Sequence, residues 1–357
     1  MSMPAEPIAL QQGLAPFFWG VDVGGTNIKI GLVDDSGQTL AYQSIPTEVQ
    51  LGPQGAVDRI ATFISTQEER IGKHAAGEIR GVGLGTPGSM DLPKGILVEP
   101  PNLPGWWYFP IRDALASATG REVVFVNDAN AAAYGEFWLG AGRDHDSMIL
   151  LTLGTGVGGG VIVDDELVNG VNSFGSECGH IIVDPSPTAR LCAWGGGRGH
   201  LEAYASASAV VRRTLDRLRN PAGRVAPSLL DALGAGDGKG LTAKKIYEAA
   251  LQGDSVALEI IDETAWWLGV GITTLVATLD PGLVVLGGAM DFGGASSPIG
   301  QRFLEGIREE FRRRAFANVV AGTTIQFASL GGRAGHLGAA GYARKILSRR
   351  GATQKTP

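Results

Sequence analysis

Cysteine is nearly absent: Cys178 and Cys192 are the only two in 357 residues, which excludes a small secreted scaffold held by disulfides. Excess charge of one sign is missing too. The 30 basic and 36 acidic side chains leave a net charge of −6, so nothing in the electrostatics calls for a nucleic-acid partner. Short basic runs such as Arg312-Arg313-Arg314 read as a solvated helix face. The longest apolar run, Trp266 to Leu279, is too short to span a bilayer, and no membrane partner is expected. At the N-terminus, MSMPAEPIALQQG has no basic start followed by a long apolar core. No signal peptide is read there, and a cytoplasmic, soluble protein is expected. The glycine turn that follows carries no GK[ST], which excludes a Walker A loop, and no helix opens at its last glycine, which excludes a dinucleotide fingerprint.

Glycine, by contrast, is plentiful. The 54 glycines are clustered, in a chain that is 44% hydrophobic and 18% charged. Clustering of that kind points to tight turns and close approach of backbone to ligand rather than to disorder. The length suggests two domains. From Phe17 to Val33, FFWGVDVGGTNIKIGLV, an apolar strand reaches Asp22, turns through Gly24-Gly25-Thr26-Asn27 and leaves as a second strand. Two glycines let amide groups crowd onto an anion, Thr26 adds a hydroxyl donor, and Asp22 can hold a metal-bound water beside it. An ordinary Gly/Asn hairpin explains the same turn.

Further along, helical spacing covers Gly55–Gly72 and Pro110–Gly120, and short strands cover Gly81–Leu84 and Val123–Val126. The second half repeats the plan. A strand over Met148–Leu153 ends in Gly154-Thr155-Gly156 and is followed by a β-rich stretch, Gly159–Val163. Helices are expected near Glu202–Arg219, Thr242–Gln252, Ser255–Leu279 and Gly335–Ser348, with a strand at Leu283–Leu286 ending in Gly287-Gly288. Residues 1–15 and roughly 350–357 read as loose tails. Two copies of one strand–turn–strand unit, Gly20–Gly31 and Leu150–Gly160, imply two similar halves facing each other across a nucleotide cleft.

In this order the motifs resemble the ROK family of sugar kinases, within the actin-like ATPase superfamily. DVGGTNIKIGLVD and LTLGTGVGGGVIVD are similar to the family's two phosphate motifs. GLGTPG, PNLPGW, VNDANAAAYGE, SECGH, GHLEAYAS and VVLGGAM follow in the family's sequence. The resemblance implies an α/β fold of two ribonuclease-H-like domains flanking a nucleotide and sugar cleft. Residues 16–134 would form the first and 135–334 the larger second, with a last helix over about 335–350 packing back on the first.

The resemblance also assigns chemistry. Asp128 follows the strand VVFVN directly. Asn-Asp at such a junction is commonly just a helix cap, but the position matches the family's catalytic base, which takes the proton of a sugar hydroxyl as it attacks the γ-phosphate. Asn127, Glu177, His180, Glu202 and Asn102 match the sugar contacts, where amides and carboxylates suit defined hydroxyls. Gly24, Gly25, Thr26 and Lys29 would take ATP phosphates from one side and Gly154, Thr155 and Gly156 from the other. Gly287 and Gly288 would leave a slot for adenosine, and Asp22 would hold Mg²⁺ through water.

The chain departs from the family at its structural zinc. In place of C-x-C-G-x-x-G-C-x-E it reads Cys192-Ala193-Trp194-Gly195-Gly196-Gly197-Arg198-Gly199-His200-Leu201-Glu202. His180, Cys192 and His200 supply at most three of four ligands, and Cys178, directly before Gly179-His180, is awkwardly directed to join them. No zinc is expected; Trp194 packing and glycine turns would hold the loop instead. The expected reaction is phosphorylation of glucose by ATP to glucose 6-phosphate, with N-acetylhexosamines or fructose as alternative substrates. A non-catalytic sugar-sensing relative is the alternative of another class. Intact Asp128 and phosphate turns speak against a sensor. The roughly sixteen residues before the first strand are too few for a repressor's winged helix. A homodimer is expected by resemblance.

Overall fold

The structure, a computed structural model, describes residues 13–193, 197–220, 226–234 and 238–353. Its first half runs β1 (Phe17–Val23), β2 (Asn27–Val33), β3 (Thr39–Pro46), α1 (Gly52–Ala76), β4 (Ile79–Thr86), β5 (Met90–Asp91), β6 (Ile96–Leu97), α2 (Ile111–Thr119), β7 (Val123–Asn127) and α3 (Asp128–Leu139). The second half runs β8 (Met148–Leu153), β9 (Val157–Val163), β10 (Glu166–Leu167), α4 (Glu202–Ala205), α5 (Ala207–Arg219), α6 (Asp231–Gly234), α7 (Ala243–Leu251) and α8 (Ser255–Leu279). It finishes with β11 (Leu283–Gly287), α9 (Pro298–Arg314), α10 (Ala317–Gly322), β12 (Thr324–Phe327) and α11 (Ala334–Thr353). Among the described residues no helix is long and apolar enough to cross a membrane.

The two halves repeat one topology. The sheets are ordered β3-β2-β1-β4-β7 and β10-β9-β8-β11-β12. In each, the first three strands are antiparallel and the last two are added in parallel. Strand β1 explains its own central place: FFWGVDV is buried at nearly every position, the pattern of a strand covered on both faces. On one face Trp19, Val21, Ile28 and Ile30 meet Ile60, Ile64, Ile111 and Leu115 of α1 and α2. On the other face Phe18 and Val33 meet Leu337, Ala340 and Ala343 of α11.

Helices α3 and α11 lie between the sheets. Tyr134, Ala131 and Ala133 of α3 and Ala339 of α11 share a core with Met148, Leu150 and Val285 of the second sheet. Contact here is backbone on backbone. A Cβ on Gly338 would stand 1.6 Å from the Ala131 carbonyl oxygen, one on Gly83 1.8 Å from that of Ala339, and one on Gly20 1.9 Å from that of His336. These glycines are fixed by proximity; no side chain fits.

Several expectations change. The helix over Glu202–Arg219 is two helices, because Ser206 is extended (φ −78°, ψ 162°) and its hydroxyl accepts the Ala209 N–H at 3.1 Å to cap α5. The last helix does not stop at Ser348 but continues to Thr353, so residues 350–353 are not loose. Residues 1–12 and 354–357 of the expected tails, and Trp194 with Gly195 and Gly196, lie outside the described residues. Strands β3 and β12 were not read, nor was helix α9 before its basic end. α9 was legible: Ile299, Phe303, Ile307 and Phe311 recur every four residues and are all buried. Its terminal Arg313 and Arg314 pair with Glu310.

Gly338→Ala is expected to cost at least about 1–3 kcal/mol, read as a lower melting temperature. Gly351→Ala on the same helix, where a Cβ meets nothing within 4 Å, should be neutral or stabilising by up to about 1 kcal/mol. Equal melting of the two variants would refute the close-packed seam.

Candidate functional site

Each glycine turn closes a central hairpin. In the first, Asp22 pairs with Lys29 across β1 and β2. The Gly24 N–H donates to the Asn27 carbonyl at 2.9 Å, and the Thr47 hydroxyl donates to the Gly24 carbonyl at 2.6 Å. In the second, between β8 and β9, the Gly154 N–H donates to the Gly156 carbonyl at 3.0 Å. The start of α5 steadies it: the Ala207 N–H reaches the Gly154 carbonyl at 2.8 Å and the Ser208 hydroxyl that of Thr155 at 2.9 Å. At the end of β11, Gly288 has φ +96°, and a Cβ there would lie 2.2 Å from the Leu153 carbonyl oxygen. Only glycine lets this turn press against the second glycine hairpin.

Asn127 and Asp128 sit where β7 becomes α3. The cap reading holds for Asn127, whose Oδ1 accepts the N–H groups of Ala129 at 2.9 Å and Asn130 at 3.3 Å. Its amide nitrogen is what remains to meet a ligand. One Asp128 oxygen also accepts the Ala129 N–H, at 2.8 Å. Burial, followed by the charge of Asp22, pushes Asp128 up to about 7, and Glu177 adds to the rise. Burial also lifts Asp22 above the usual carboxylate range, against the lowering effect of Lys29, whose Nζ stands 3.3 Å from Asp22 Oδ2. Gly335 of α11 abuts this carboxylate, leaving 2.4 Å between its would-be Cβ and Asp22 Oδ2.

The turn Glu177-Cys178-Gly179-His180 is held from beneath. Cys178 is buried against Gly159, Gly179 packs on the Val157 carbonyl, and the Ser176 hydroxyl ties the segment to Val168 and Val161. With its middle pinned, the turn leaves Glu177 and His180 exposed, 3.8 Å apart. Packing around the inner part of its side chain still strips water from Glu177 and raises it, with His180 opposing and Glu202 reinforcing. Glu202 opens α4 and is buried; its Oε2 accepts the Val157 N–H at 3.0 Å and its Oε1 the Cys192 thiol at 2.9 Å. Nothing in the sequence announced that thiol contact.

Two cavities meet at Asp128. One, of about 470 Å³, is lined by Asp22, Lys29, Asp128, Gly287, Gly288 and, from the later segment, Ala328, Gly331, Gly332, Ala334 and Gly335. The other, of about 310 Å³, is lined by Asn102, Asn127, Asp128, Glu177, His180, Glu202 and the turn Gly154-Thr155-Gly156. Asp128, Ala129, Thr152 and Gly288 belong to both. Gly24, Gly25 and Thr26 line neither, although Gly25 touches the Asn102 backbone. Asp291 and Gly331-Gly332 in the larger cavity were not anticipated. The glycine pair shortly after β12 was a usable signal, since the turns at Gly24-Gly25, Gly154–Gly156 and Gly287-Gly288 also follow strands of the two sheets. A larger surface hollow of about 640 Å³ between α5 and α8 holds none of the candidate residues.

Among the described residues, His180, Cys192 and His200 are the set of three metal-capable side chains close enough to share an ion, their donor atoms within 4.8 Å of one another. They do not fit the closed zinc site that the family implies, which takes four. The position of the second family cysteine is Trp194, which has no ligand atom. The donors are engaged with protein: Cys192 with Glu202, and His180 Nδ1 with His200 Nδ1 at 3.2 Å.

Comparison with known proteins agrees with this geometry. The ROK family model matches residues 18–346. The chain is 35% identical to a glucokinase of Halalkalibacterium halodurans over 90% of its own length and 93% of the relative's. It is 38% identical to a glucokinase of Thermotoga maritima, over 82% and 88% respectively. The crystal structure of a ROK family glucokinase from Streptomyces griseus in complex with glucose and AMPPNP superposes with a TM-score of 0.69 at 36% identity, covering 92% of this chain and 99% of that one. Twin sheets of one topology, a carboxylate where two cavities join, and these similarities over nearly the whole length make the chain a member of the ROK family, with its actin-like two-domain fold.

Proposed function

We propose that the protein transfers the γ-phosphoryl group of ATP to a hexose hydroxyl, with glucose as substrate and glucose 6-phosphate as product. The observation that carries this reading is the junction of the two cavities at Asp128. A nucleotide in the larger and a sugar in the smaller would meet at Asp128, a carboxylate pushed up to about 7. The similar glucokinases, and the relative bound to glucose and AMPPNP, support the choice of sugar and donor.

In this mechanism Asn102, Asn127 through its amide nitrogen, Glu177, His180 and Glu202 orient the sugar. Asp128 takes the proton as the hydroxyl oxygen attacks the γ-phosphorus and ADP departs. The amides of Gly154, Thr155 and Gly156 hold phosphates, Gly287 and Gly288 make the adenosine slot, and Lys29 adds a cation. Gly24, Gly25 and Thr26 join when the halves, 16–134 with the returning helix 335–350, and 135–334, close and expel water. Asp22, a carboxylate lifted by burial beside a second one, suits Mg²⁺, which it would hold through water. The ion would neutralise charge on the phosphates when bound. Zinc has no part. We further propose a cytoplasmic homodimer acting on small molecules, without nucleic-acid or membrane partners.

A coupled ADP-release assay over hexoses and N-acetylhexosamines should show ATP turnover stimulated most by glucose. Preference for an N-acetylhexosamine or fructose would move the substrate assignment, and no stimulation by any sugar would remove the kinase reading.

Asp128→Asn should lower kcat by about 10²–10⁴ while glucose still binds. In the natural sequence kcat/KM should rise with pH through a midpoint near 7 as Asp128 loses its proton. The folded value lies above the ordinary 3.8, so folding stability falls as pH rises from about 4 to about 7 and levels off above it. The Asn variant should therefore melt higher at about pH 8, the gap closing near pH 4. A flat pH profile, or near-normal turnover in the variant, would contradict the assigned base.

Metal analysis of the purified protein should find far less than about one zinc per chain; a full equivalent would overturn the metal-free loop.

A further inference from the structure

Glu136 lies two helical turns beyond Asp128 on α3 and is fully buried, at 0% exposure. Its carboxylate leaves the helix and is filled by donors from two loops. Oε1 accepts the N–H groups of Ser329 at 3.0 Å and Leu330 at 2.7 Å. Oε2 accepts the Ser329 hydroxyl at 2.9 Å and the Ala141 N–H at 2.9 Å. All these donors are neutral, so oriented dipoles balance the buried charge. Gly140 makes the space: a Cβ there would stand 2.2 Å from Oε2 and 2.8 Å from Ser329 Oγ.

The segment so held leads straight into the larger cavity. Ala328, Gly331, Gly332, Ala334 and Gly335 line it, and Gly335 rests on Asp22. Elsewhere the segment is held by the Ala328 N–H on the Leu286 carbonyl at 2.9 Å and by Leu330 packed on the core of Phe18 and Leu337. Its glycines carry no side chains to pack, and Gly331 and Gly332 face open space. Helix α3 therefore carries the candidate base at its first residue and, two turns later, the carboxylate that anchors the wall of the nucleotide cavity.

We propose that Glu136 is a positioning residue for the nucleotide: it fixes the 328–335 wall to the helix that bears Asp128, so that phosphates and base keep one register. The proposal rests on the kinase reading above, and it predicts a selective defect. A glutamine would turn an amide N–H₂ toward N–H donors and leave some of them buried without an acceptor.

The test is a pair of variants, Glu136→Gln and Gly140→Ala, the second pushing a methyl group into the carboxylate's place. For each folded variant, KM for ATP and the dissociation constant for the non-hydrolysable AMPPNP should rise about tenfold, a 1.4 kcal/mol loss. KM and calorimetric Kd for glucose should stay within about twofold. If Glu136→Gln does not fold, Gly140→Ala and Ser329→Ala carry the test, the latter losing one hydrogen bond and expected to weaken AMPPNP about two- to threefold. Unchanged AMPPNP binding in folded variants, or equal loss of both ligands, overturns the proposal. Failure of the kinase reading is separate and shows as absence of sugar-stimulated ATP turnover in the natural sequence.

Discussion

The contact on which the rest depends is the one between Gly338 and the Ala131 carbonyl, where α3 and α11 meet with no side chain between them. At that separation the two helices act as one slab, and each sheet packs on a face of it. Gly20 and Gly83 let the first sheet come equally close to α11. Tight packing of this kind resists deformation, because dense interiors transmit strain rather than absorb it. Groups attached to the slab hold their mutual positions: Asp128 at the start of α3, Asp22 against Gly335 at the start of α11, and the wall of the larger cavity hydrogen-bonded to Glu136.

The cleft gathers negative charge on this frame. Asp22, Asp128 and Glu177 are all lifted by burial, and Asp22 and Glu177 both lift Asp128 further. In the proposed reaction a base needs an affinity for protons near the working pH, and burial, with repulsion from Asp22 and Glu177 added, would supply it at Asp128. In that proposed reaction the same crowding would suit a nucleotide that brings a cation with it. Glu202 is treated differently: the Val157 N–H and the Cys192 thiol hold it in place beneath the smaller cavity. In this chain that thiol orients a carboxylate, in the loop where relatives are expected to bind zinc.

Much of the architecture was legible because it obeys local rules. Strands β1, β8 and β11 are covered on both faces and read as unbroken apolar runs, so Met148–Leu153 was placed to the residue. Helix α8 was placed equally well, since Asp254 caps it and Asp280, in a left-handed conformation before Pro281, ends it. Strands β3 and β12 escaped because they lie at sheet edges, and edge positions are half exposed without strict alternation. The break at Ser206 escaped because Ala203–Ala209 has good helix formers on both sides, and only the contact of Ala207 with Gly154 demands a new start.

The sequence by itself determined the chemistry of the parts: two glycine hairpins, a carboxylate at a strand–helix junction, and an E-x-x-H turn, each written within a few consecutive residues. Local spacing and turn geometry suffice for such features. Only the tertiary structure decided which parts share a space. It joined two cavities at Asp128, left Gly24, Gly25 and Thr26 outside both, and brought Cys192 to Glu202. It also took Glu136, which reads in sequence as an ordinary helix residue, to a loop nearly two hundred positions away. Burial and proton affinity follow from that assembly, because both depend on what surrounds a group in space, and chain order does not encode distance between remote segments.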